Sequence, residues 1–339
     1  MVDVTTPLSE ALESWALADA PRTQLTGDVS PRQYYRLALA DGTTAVAMVT
    51  PAERLPSLGD WLAIGEWLAA HGVAVPRVLR RREDLGVLLI EDGGDRLLTA
   101  VDQPAAADAW YRDTLAKLAD LERAAAADAG AAGPALRSPA QGRILTEERM
   151  RWELRRYRKV VAAAIADLTD DELALWKLGE DQVVSALLAA PRVWMHRDLH
   201  ARNLLIRDER AMWIDFQDAM MGPWQYDAVS LLFDPYAALD EPRREALRAY
   251  YLSVSTHASS DDQADALWWL CAVQRLVHCV ACYIFVCEHQ ANSAYLRYLP
   301  FALARLREVL DRCPAAAPLA QVMATRWAPL DQRWCADAQ

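Results

Sequence analysis

Residues Val193 to Asp218 read VWMHRDLHARNLLIRDERAMWIDFQD, and this stretch decides the fold. His196-Arg197-Asp198 follows a short apolar run, Asn203 comes five residues after Asp198, and Asp215-Phe216 follows a second apolar run, Met212-Trp213-Ile214. Between them Asn203 to Arg207 and Ala211 to Ile214 are β-type runs joined by the polar turn Asp208-Glu209, the pattern of a β-hairpin. A hairpin brings its ends together, so Asp198 and Asn203 at one end are expected to face Asp215 at the other. One carboxylate for an incoming hydroxyl, with an amide and a second carboxylate as hard oxygen ligands for Mg²⁺, is a set suited to phosphoryl transfer. A surface hairpin whose polar residues are merely solvated would leave His196 and Asn203 unexplained.

The spacing H-R-D, four residues, N, then a strand and D-F resembles the catalytic and metal-binding loops of protein kinases. H-R-D-L-H-x-R-N is more similar still to the aminoglycoside phosphotransferase superfamily. Three motif positions in order, joined by a predicted hairpin, rarely coincide by chance.

The chain has 339 residues and is 53% hydrophobic, enough for two domains with their own cores. Thirty-six Lys and Arg against 47 Asp and Glu give a net charge of −11, which argues against a nucleic-acid or anionic-membrane surface. The opening MVDVTTPLSEALE lacks a basic segment followed by an apolar one, and a cytoplasmic, monomeric protein is expected. Cysteines stand at 271, 279, 282, 287, 313 and 335, without the spacing of a disulfide framework. Cys279 and Cys282 form a C-x-x-C with no second pair at ligand spacing, and read as buried, reduced core residues.

Upstream, residues 7–20 carry the apolar spacing of an opening helix. Asp41-Gly42 separates two β-type runs, 33–40 and 43–50, as in a tight hairpin. The turn at Gly27-Asp28-Val29-Ser30 before them is a candidate to cover nucleotide phosphates with backbone N–H groups. A helix over 58–70 follows, stopped by Gly72 and Pro76, then strands at 75–80 and 87–91. Asp92-Gly93-Gly94-Asp95 ends the regular pattern and marks an interlobe hinge, where the backbone near Glu91 and Gly93 could pair with an adenine edge. The chain thus divides into an N-lobe at 1–92, a hinge at 93–96 and a C-lobe at 97–339.

In the C-lobe, residues 105–127 and 145–165 read as helices, the second a solvated basic face containing Arg149. Met221 to Trp224 reads as a turn and Asp227 as a helix N-cap. Leu267 to Cys287 holds 18 hydrophobic residues in 21. Its exceptions Gln274, Arg275 and His278 share one narrow face, which fits a buried helix with a polar edge better than a membrane span.

GDVSPRQYYRL at 27–37, the catalytic segment, GPWQYDAVSLLFDPY at 222–236, QR at 274–275 and YLRYLP at 295–300 together resemble the bacterial N-acetylmuramate/N-acetylglucosamine anomeric kinases of cell-wall recycling, a branch of the same superfamily. The resemblance implies an α+β, two-lobed kinase-like fold with a small β-rich N-lobe and a larger helical C-lobe. It also implies ATP as donor, Mg²⁺, and a sugar 1-phosphate as product.

Two departures stand out. The strand Ala45 to Val49 has Met48 and no lysine for the nucleotide phosphates, which leaves Arg32 and Arg36 as candidate cations. Gln217 stands where kinases carry glycine after Asp-Phe, which suggests a metal site that does not switch. In this reading Asp198 is the base, Asn203 and Asp215 hold Mg²⁺, and His196, Arg197 and Asp227 support the loop. The substrate candidates are His200, Arg202, Gln274, Arg275 and Arg149, although Gln274 and Arg275 could equally be a buried polar edge tying helices together. An anomeric hydroxyl is acidic enough for one unperturbed carboxylate to serve it. Phosphorylation of an aminoglycoside, choline or another small molecule, and an inactive kinase fold that only binds, are the alternatives.

Overall fold

A computed structural model describes residues 5–25, 31–129, 138–257, 262–289 and 293–335. Gly27, Asp28 and Ser30, and with them the expected phosphate turn, lie outside the described residues. Two compact units emerge, the first comprising residues 1–101 and 203–218 and the second residues 102–202 and 219–339. Elements are numbered along the chain.

The first unit is built on a five-stranded antiparallel sheet with β1 (Arg22–Leu25), β2 (Gln33–Ala38), β3 (Thr44–Val49), β4 (Val78–Arg82) and β5 (Val87–Glu91) in the order β1-β2-β3-β5-β4. The Asp41-Gly42 turn joins β2 to β3 as expected, with Gly42 at φ +81° and Tyr34 opposite Met48. Helix α1 (Thr5–Ser14) packs Leu8, Ala11 and Leu12 against Leu37, Ala45, Ala47, Val49, Val87 and Leu89. Alternation along β3 therefore turns Val46 and Met48 to the other face. The edge strand β4 is mostly exposed and carries Arg80, Arg81 and Arg82, charges that discourage another chain from adding to the edge.

The hairpin β7 (Leu204–Arg207) and β8 (Arg210–Trp213) belongs to this unit. Asp208 and Glu209 both have positive φ, 47° and 56°, as a two-residue turn matched to strand twist requires. Backbone bonds fix it in place: Ile206 N–H donates to the Arg96 carbonyl at 2.7 Å and Trp213 N–H to that of Ala74 at 2.8 Å. A Cβ on Gly93 would come within 2.6 Å of Leu205 and 2.9 Å of Met212, so the 92–95 segment lies flat on the hairpin only because it is glycine there. These contacts move the compact division to 101/102 and add 203–218 to the first unit, which the expected boundaries of 92 and 97 did not include.

Helix α2 (Pro56–Ala70) begins on proline and buries Leu58, Trp61, Ile64, Trp67 and Leu68, the apolar repeat read from the sequence. Trp61 meets Phe216 at a ring separation of 5.2 Å.

The second unit holds α3 (Pro104–Ala129), α4 (Glu147–Ala164), α5 (Asp170–Ala189), the pair β6 (Arg192–Met195) and β9 (Met220–Pro223), α6 (Tyr226–Leu232), α7 (Glu241–Val254), α8 (Asp262–His289), α9 (Leu299–Asp311), α10 (Ala317–Ala324) and α11 (Trp327–Trp334). Where a turn was expected at Met221 to Trp224, Met220 to Pro223 form β9, which pairs antiparallel with β6 and so fixes both ends of the catalytic segment. Helix α8 is apolar enough to cross a membrane, but its apolar window is mostly buried in this unit, with α4, α5, α6 and α9 as its neighbours.

Gly86 illustrates how tightly the sheet is specified. It has φ +70°, its carbonyl accepts Thr50 N–H at 2.8 Å, and an added Cβ would lie 2.5 Å from the Thr50 oxygen. The left-handed backbone alone costs a non-glycine residue about 1–2 kcal/mol. Gly86→Ala is expected to lower the unfolding free energy by at least that amount and so shift the urea midpoint downward, and an unchanged midpoint in equilibrium unfolding would contradict it.

Candidate active site

The catalytic segment leaves β6 at Met195 and enters a loop with two buried carboxylate anchors. Asp227 accepts the backbone N–H of His196 and, at 2.9 Å, that of Arg197. Asp234 accepts those of Ala201 at 2.9 Å and Tyr236 at 2.8 Å. Asp227 is thus not a helix cap: Gln225 holds the N-cap position of α6 without a side-chain bond, and the carboxylate turns to the loop. Arg197 sits at φ +79°, a conformation costly for any residue with a Cβ and sustained only where surroundings over-determine it. His196 is buried, and its Nδ1 accepts Asp198 N–H at 3.3 Å. Burial raises the Asp227 carboxyl to about 7 and the Asp234 carboxyl to about 6, against the opposing pull of the N–H groups each accepts.

Asp198 opens onto a cavity of about 130 Å³ that lies wholly in the second unit, where His200, Asp234, Tyr236, Arg275, His278 and Cys282 also contribute walls. Arg275 Nη1 stands 3.3 Å from Asp198 Oδ1, with side-chain exposures of 7% and 29%, and 3.5 Å from the Tyr226 hydroxyl. Burial would raise the Asp198 pKa, but Arg275 and Arg197 outweigh it and hold the carboxyl well below its ordinary value. The expectation of an unperturbed carboxylate is therefore corrected. Burial pushes His200 down to about 3, so its ring is neutral, edge-on to Tyr236. Arg202 lies over the same Tyr236 ring at 4.8 Å.

Two substrate candidates turn elsewhere. Gln274 Nε2 donates to Glu153 Oε2 at 2.6 Å, and Arg149 Nε to Glu153 Oε1 at 2.9 Å; neither lines the cavity. Glu153 also has Arg197 at 3.9 Å and His278 at 3.8 Å, so the buried-edge reading holds for Gln274. Sequence reasoning missed Glu153 because it stands among six basic residues on a helix read as solvated. It missed Asp234 although the residue lies inside the quoted 222–236 segment, and it named His278 only as an exception to an apolar run.

In the first unit Asn203 and Asp215 come to one end of the hairpin: Ile214 N–H donates to the Asn203 carbonyl at 3.0 Å and Leu204 pairs with Trp213. Asp215 has φ +62°, and Gln217 Nε2 donates to its Oδ1 at 2.8 Å, so the residue in the glycine position braces the carboxylate. One amide oxygen and one carboxylate suit an ion that keeps waters and takes its other ligands from phosphates. Among the described residues no cluster of three or more acidic, His or Cys ligands exists.

The two candidate cations differ sharply. Arg36 forks onto Asp92 at 2.7 Å and Asp95 at 2.8 Å, which commits its charge to the hinge and corrects its reading as a phosphate ligand. Arg32 donates to Ser57 Oγ at 2.8 Å. The Tyr34 hydroxyl, pushed up to about 12 by burial, feels both Arg32 and Asp215, so these three share one neighbourhood. At the hinge the Glu91 N–H already donates to the Arg77 carbonyl at 2.8 Å, and the Asp92 carbonyl accepts from Arg207.

Residues 22–268 match the phosphotransferase enzyme family. The chain belongs to that family. It is 28% identical over 326 residues to the N-acetylmuramate/N-acetylglucosamine kinase of Pseudomonas aeruginosa, covering 92% of this chain and 91% of that one. It is likewise 28% identical over 316 residues to the enzyme of the same name from Neisseria meningitidis, with 89% of each chain covered. Among solved structures this phosphotransferase is similar to a choline/ethanolamine kinase family protein from Mesorhizobium loti, with a TM-score of 0.61, 15% identity and coverage of 98% and 100%. An ADP-bound aminoglycoside phosphotransferase gives a TM-score of 0.56 at 14% identity over 91% and 98%. The two-lobed kinase-like fold read from the motif is thereby the fold of the chain, with a small β-rich part and a mostly helical remainder.

Beneath the catalytic loop, Tyr251 Oη lies 2.6 Å from Glu122 Oε1 and 2.9 Å from the Trp224 carbonyl. One hydroxyl proton serves one acceptor, and both contacts are satisfied when Tyr251 donates to Trp224 and a protonated Glu122 donates to Tyr251. Burial indeed raises the Glu122 carboxyl to about 8. An acid whose folded pKa lies above its unfolded one binds more protons when folded, so its contribution to stability falls as pH rises from about 4.3 toward 8. Urea unfolding at pH 6 and pH 9 should show wild type losing more stability than Glu122→Gln across that interval; equal losses would remove the protonated glutamate.

Proposed function

We propose that this phosphotransferase is an ATP- and Mg²⁺-dependent kinase of the anomeric hydroxyl of an N-acetylated amino sugar, N-acetylmuramate or N-acetylglucosamine, yielding the 1-phosphate in cell-wall recycling. The observation that carries the reading is Asp198: the acid of the H-R-D loop, in the wall of a cavity, paired to Arg275. The two enzymes of that name support the choice of sugar.

Asp198 held ionised is a weak base. It orients the acceptor hydroxyl and takes its proton late, a task easier for an anomeric hydroxyl than for an ordinary alcohol. His196, Arg197 and Asp227 hold the loop that carries it. His200, Arg202 and Arg275 border the sugar, while Gln274 and Arg149 act through Glu153. Arg275 and His278 in the same wall disfavour a quaternary ammonium acceptor such as choline, since two cationic side chains would meet a cationic ligand. They suit an acceptor bearing amide, hydroxyl or carboxylate groups.

Asn203 and Asp215 would hold Mg²⁺ against the nucleotide phosphates, where the ion neutralises charge on the transferring group. Arg32 stands in for the missing lysine, Gly27, Asp28 and Ser30 cover the phosphates, and the backbone at Gly93 meets the adenine. The reading takes the enzyme as cytoplasmic, where ATP is supplied, and as monomeric. Its N-lobe ends near the hinge at 93–96, its acidic balance gives no nucleic-acid role, and α8 is a core helix rather than a membrane anchor.

A coupled assay with N-acetylmuramate, N-acetylglucosamine, glucose, kanamycin and choline tests the reading, with phosphorus NMR of any product. Phosphate at C1 of an N-acetylated sugar is expected; turnover only of kanamycin or choline, or phosphate at C6, would overturn it. Asp198→Asn should lower kcat by about 10²–10⁴ with little change in KM for ATP, and a folded variant of unchanged kcat would remove the base. Asp215→Ala should abolish turnover while weak ATP binding persists by calorimetry, and wild-type Mg²⁺ dependence in that variant would move the metal elsewhere.

A further inference from the structure

One group in the cavity wall has no part in that chemistry. Cys282 lies on α8 one turn beyond His278, and its Sγ is 3.5 Å from His278 Nε2 and 3.8 Å from Arg156 Nη1. His278 Nδ1 in turn stands 3.8 Å from Glu153 Oε1, a buried carboxylate. A thiol, an imidazole and a carboxylate therefore stand in sequence, with a guanidinium on the sulfur's other side. Cys282 is half-buried and lines the cavity beside Asp198 and Arg275.

Reactive cysteines occupy electropositive, partly accessible places of this kind, whereas thiols in apolar surroundings are inert. The other cysteines provide the contrast. Cys271, Cys279 and Cys313 are buried, and burial pushes Cys279 up to about 12 and Cys313 up to about 11. Cys287 and Cys335 are also raised by burial. Burial acts on Cys282 too, but His278 and Arg156 outweigh it and the thiol is lowered.

We propose that Cys282 is a peroxide-sensitive thiol of the acceptor pocket, whose oxidation to the sulfenic acid reversibly closes the pocket to substrate. The thiolate sulfur attacks one oxygen of hydrogen peroxide. The O–O bond breaks, an S–O bond forms, and hydroxide leaves, taking a proton to become water. Sulfur is oxidised by two electrons and the peroxide reduced by two. A small thiol then displaces the hydroxyl as water to give a mixed disulfide, and a second thiol restores Cys282. The added oxygen projects into the cavity where the acceptor is placed, so the loss of activity rests on the proposed function, whereas the site of oxidation does not.

The experiment treats the full-length protein with hydrogen peroxide, traps sulfenic acid with dimedone, and maps the adduct by peptide mass spectrometry; kinase activity is followed in parallel before and after dithiothreitol. Cys282 is expected to carry the first adduct, with activity lost in proportion and restored by dithiothreitol. His278→Asn should slow labelling about tenfold by removing the imidazole beside the sulfur. Cys282→Ser, each protein measured against its own untreated rate, should keep its activity under peroxide, and Cys279→Ser should remain sensitive. First labelling of Cys287 or Cys335, or equal rates in His278→Asn, would overturn the site. Labelling at Cys282 with acceptor turnover untouched would overturn the closure of the pocket. Should none of the sugars be turned over, the labelling still decides the site while the proposed function fails separately.

Discussion

Arg197 cannot hold its own backbone. At φ +79° it lies where only glycine rests easily, and the loop that begins there must deliver Asp198 to a cavity wall. What keeps it is two buried carboxylates on the segment after β9: Asp227 gathers the N–H groups of His196 and Arg197, and Asp234 that of Ala201. Burying an acid is costly unless hydrogen bonds compensate, and each is compensated by two backbone N–H groups. The same bonds that stabilise the acids remove the freedom of the loop. The pairing of β6 with β9 sets the distance over which this clamp works. Strand, clamp and loop therefore form one mechanical unit, and everything said of Asp198 depends on it.

Electrostatics around the loop follow from the clamp. With the backbone fixed, the side chains of Arg197 and Asp198 diverge to different partners, Glu153 and Arg275. Glu153 is the counter-charge that lets Arg149, Arg197 and His278 crowd together; without it three cationic groups would repel across a buried space. Arg275 balances Asp198 in the same way. The price is a carboxylate less basic than a free one, which in the proposed reading would narrow the hydroxyls it could serve and give the acidity of the acceptor a part in the mechanism.

Much of this was legible in the sequence, for definite reasons. The 203–214 hairpin carries its own turn and two alternating runs, and Asp-Gly at 41–42 does the same for β2 and β3. Such local signals need no tertiary knowledge. β6 and β9 are short runs separated by 24 residues, and nothing local announces their pairing, so Met221 to Trp224 read as a turn. Helix α5 went unread although Thr169 and Glu172 form a capping box, a signal that the sequence does display. Asp227 has the right residue type for an N-cap, yet its role is set by a backbone 31 residues away. Glu153 was hidden because charge counted along a helix says nothing of which member faces inward.

The missing lysine shows the same limit from the other side. Strand alternation put Arg32 and Arg36 on one face and left them equivalent. What separates them lies far along the chain: Asp92 and Asp95, more than 50 residues on, capture Arg36 with both edges of its guanidinium. A fork saturated by two carboxylates is pre-organised and has little left to offer a phosphate. Arg32 instead bonds the hydroxyl of Ser57, and it shares its surroundings with Tyr34 and Asp215. In the proposed reading this placement beside Asp215, the carboxylate assigned to the metal, is what lets Arg32 take the part of the absent ammonium. It would do so from the residue just before β2 rather than from β3, where Met48 is a buried apolar residue of the sheet.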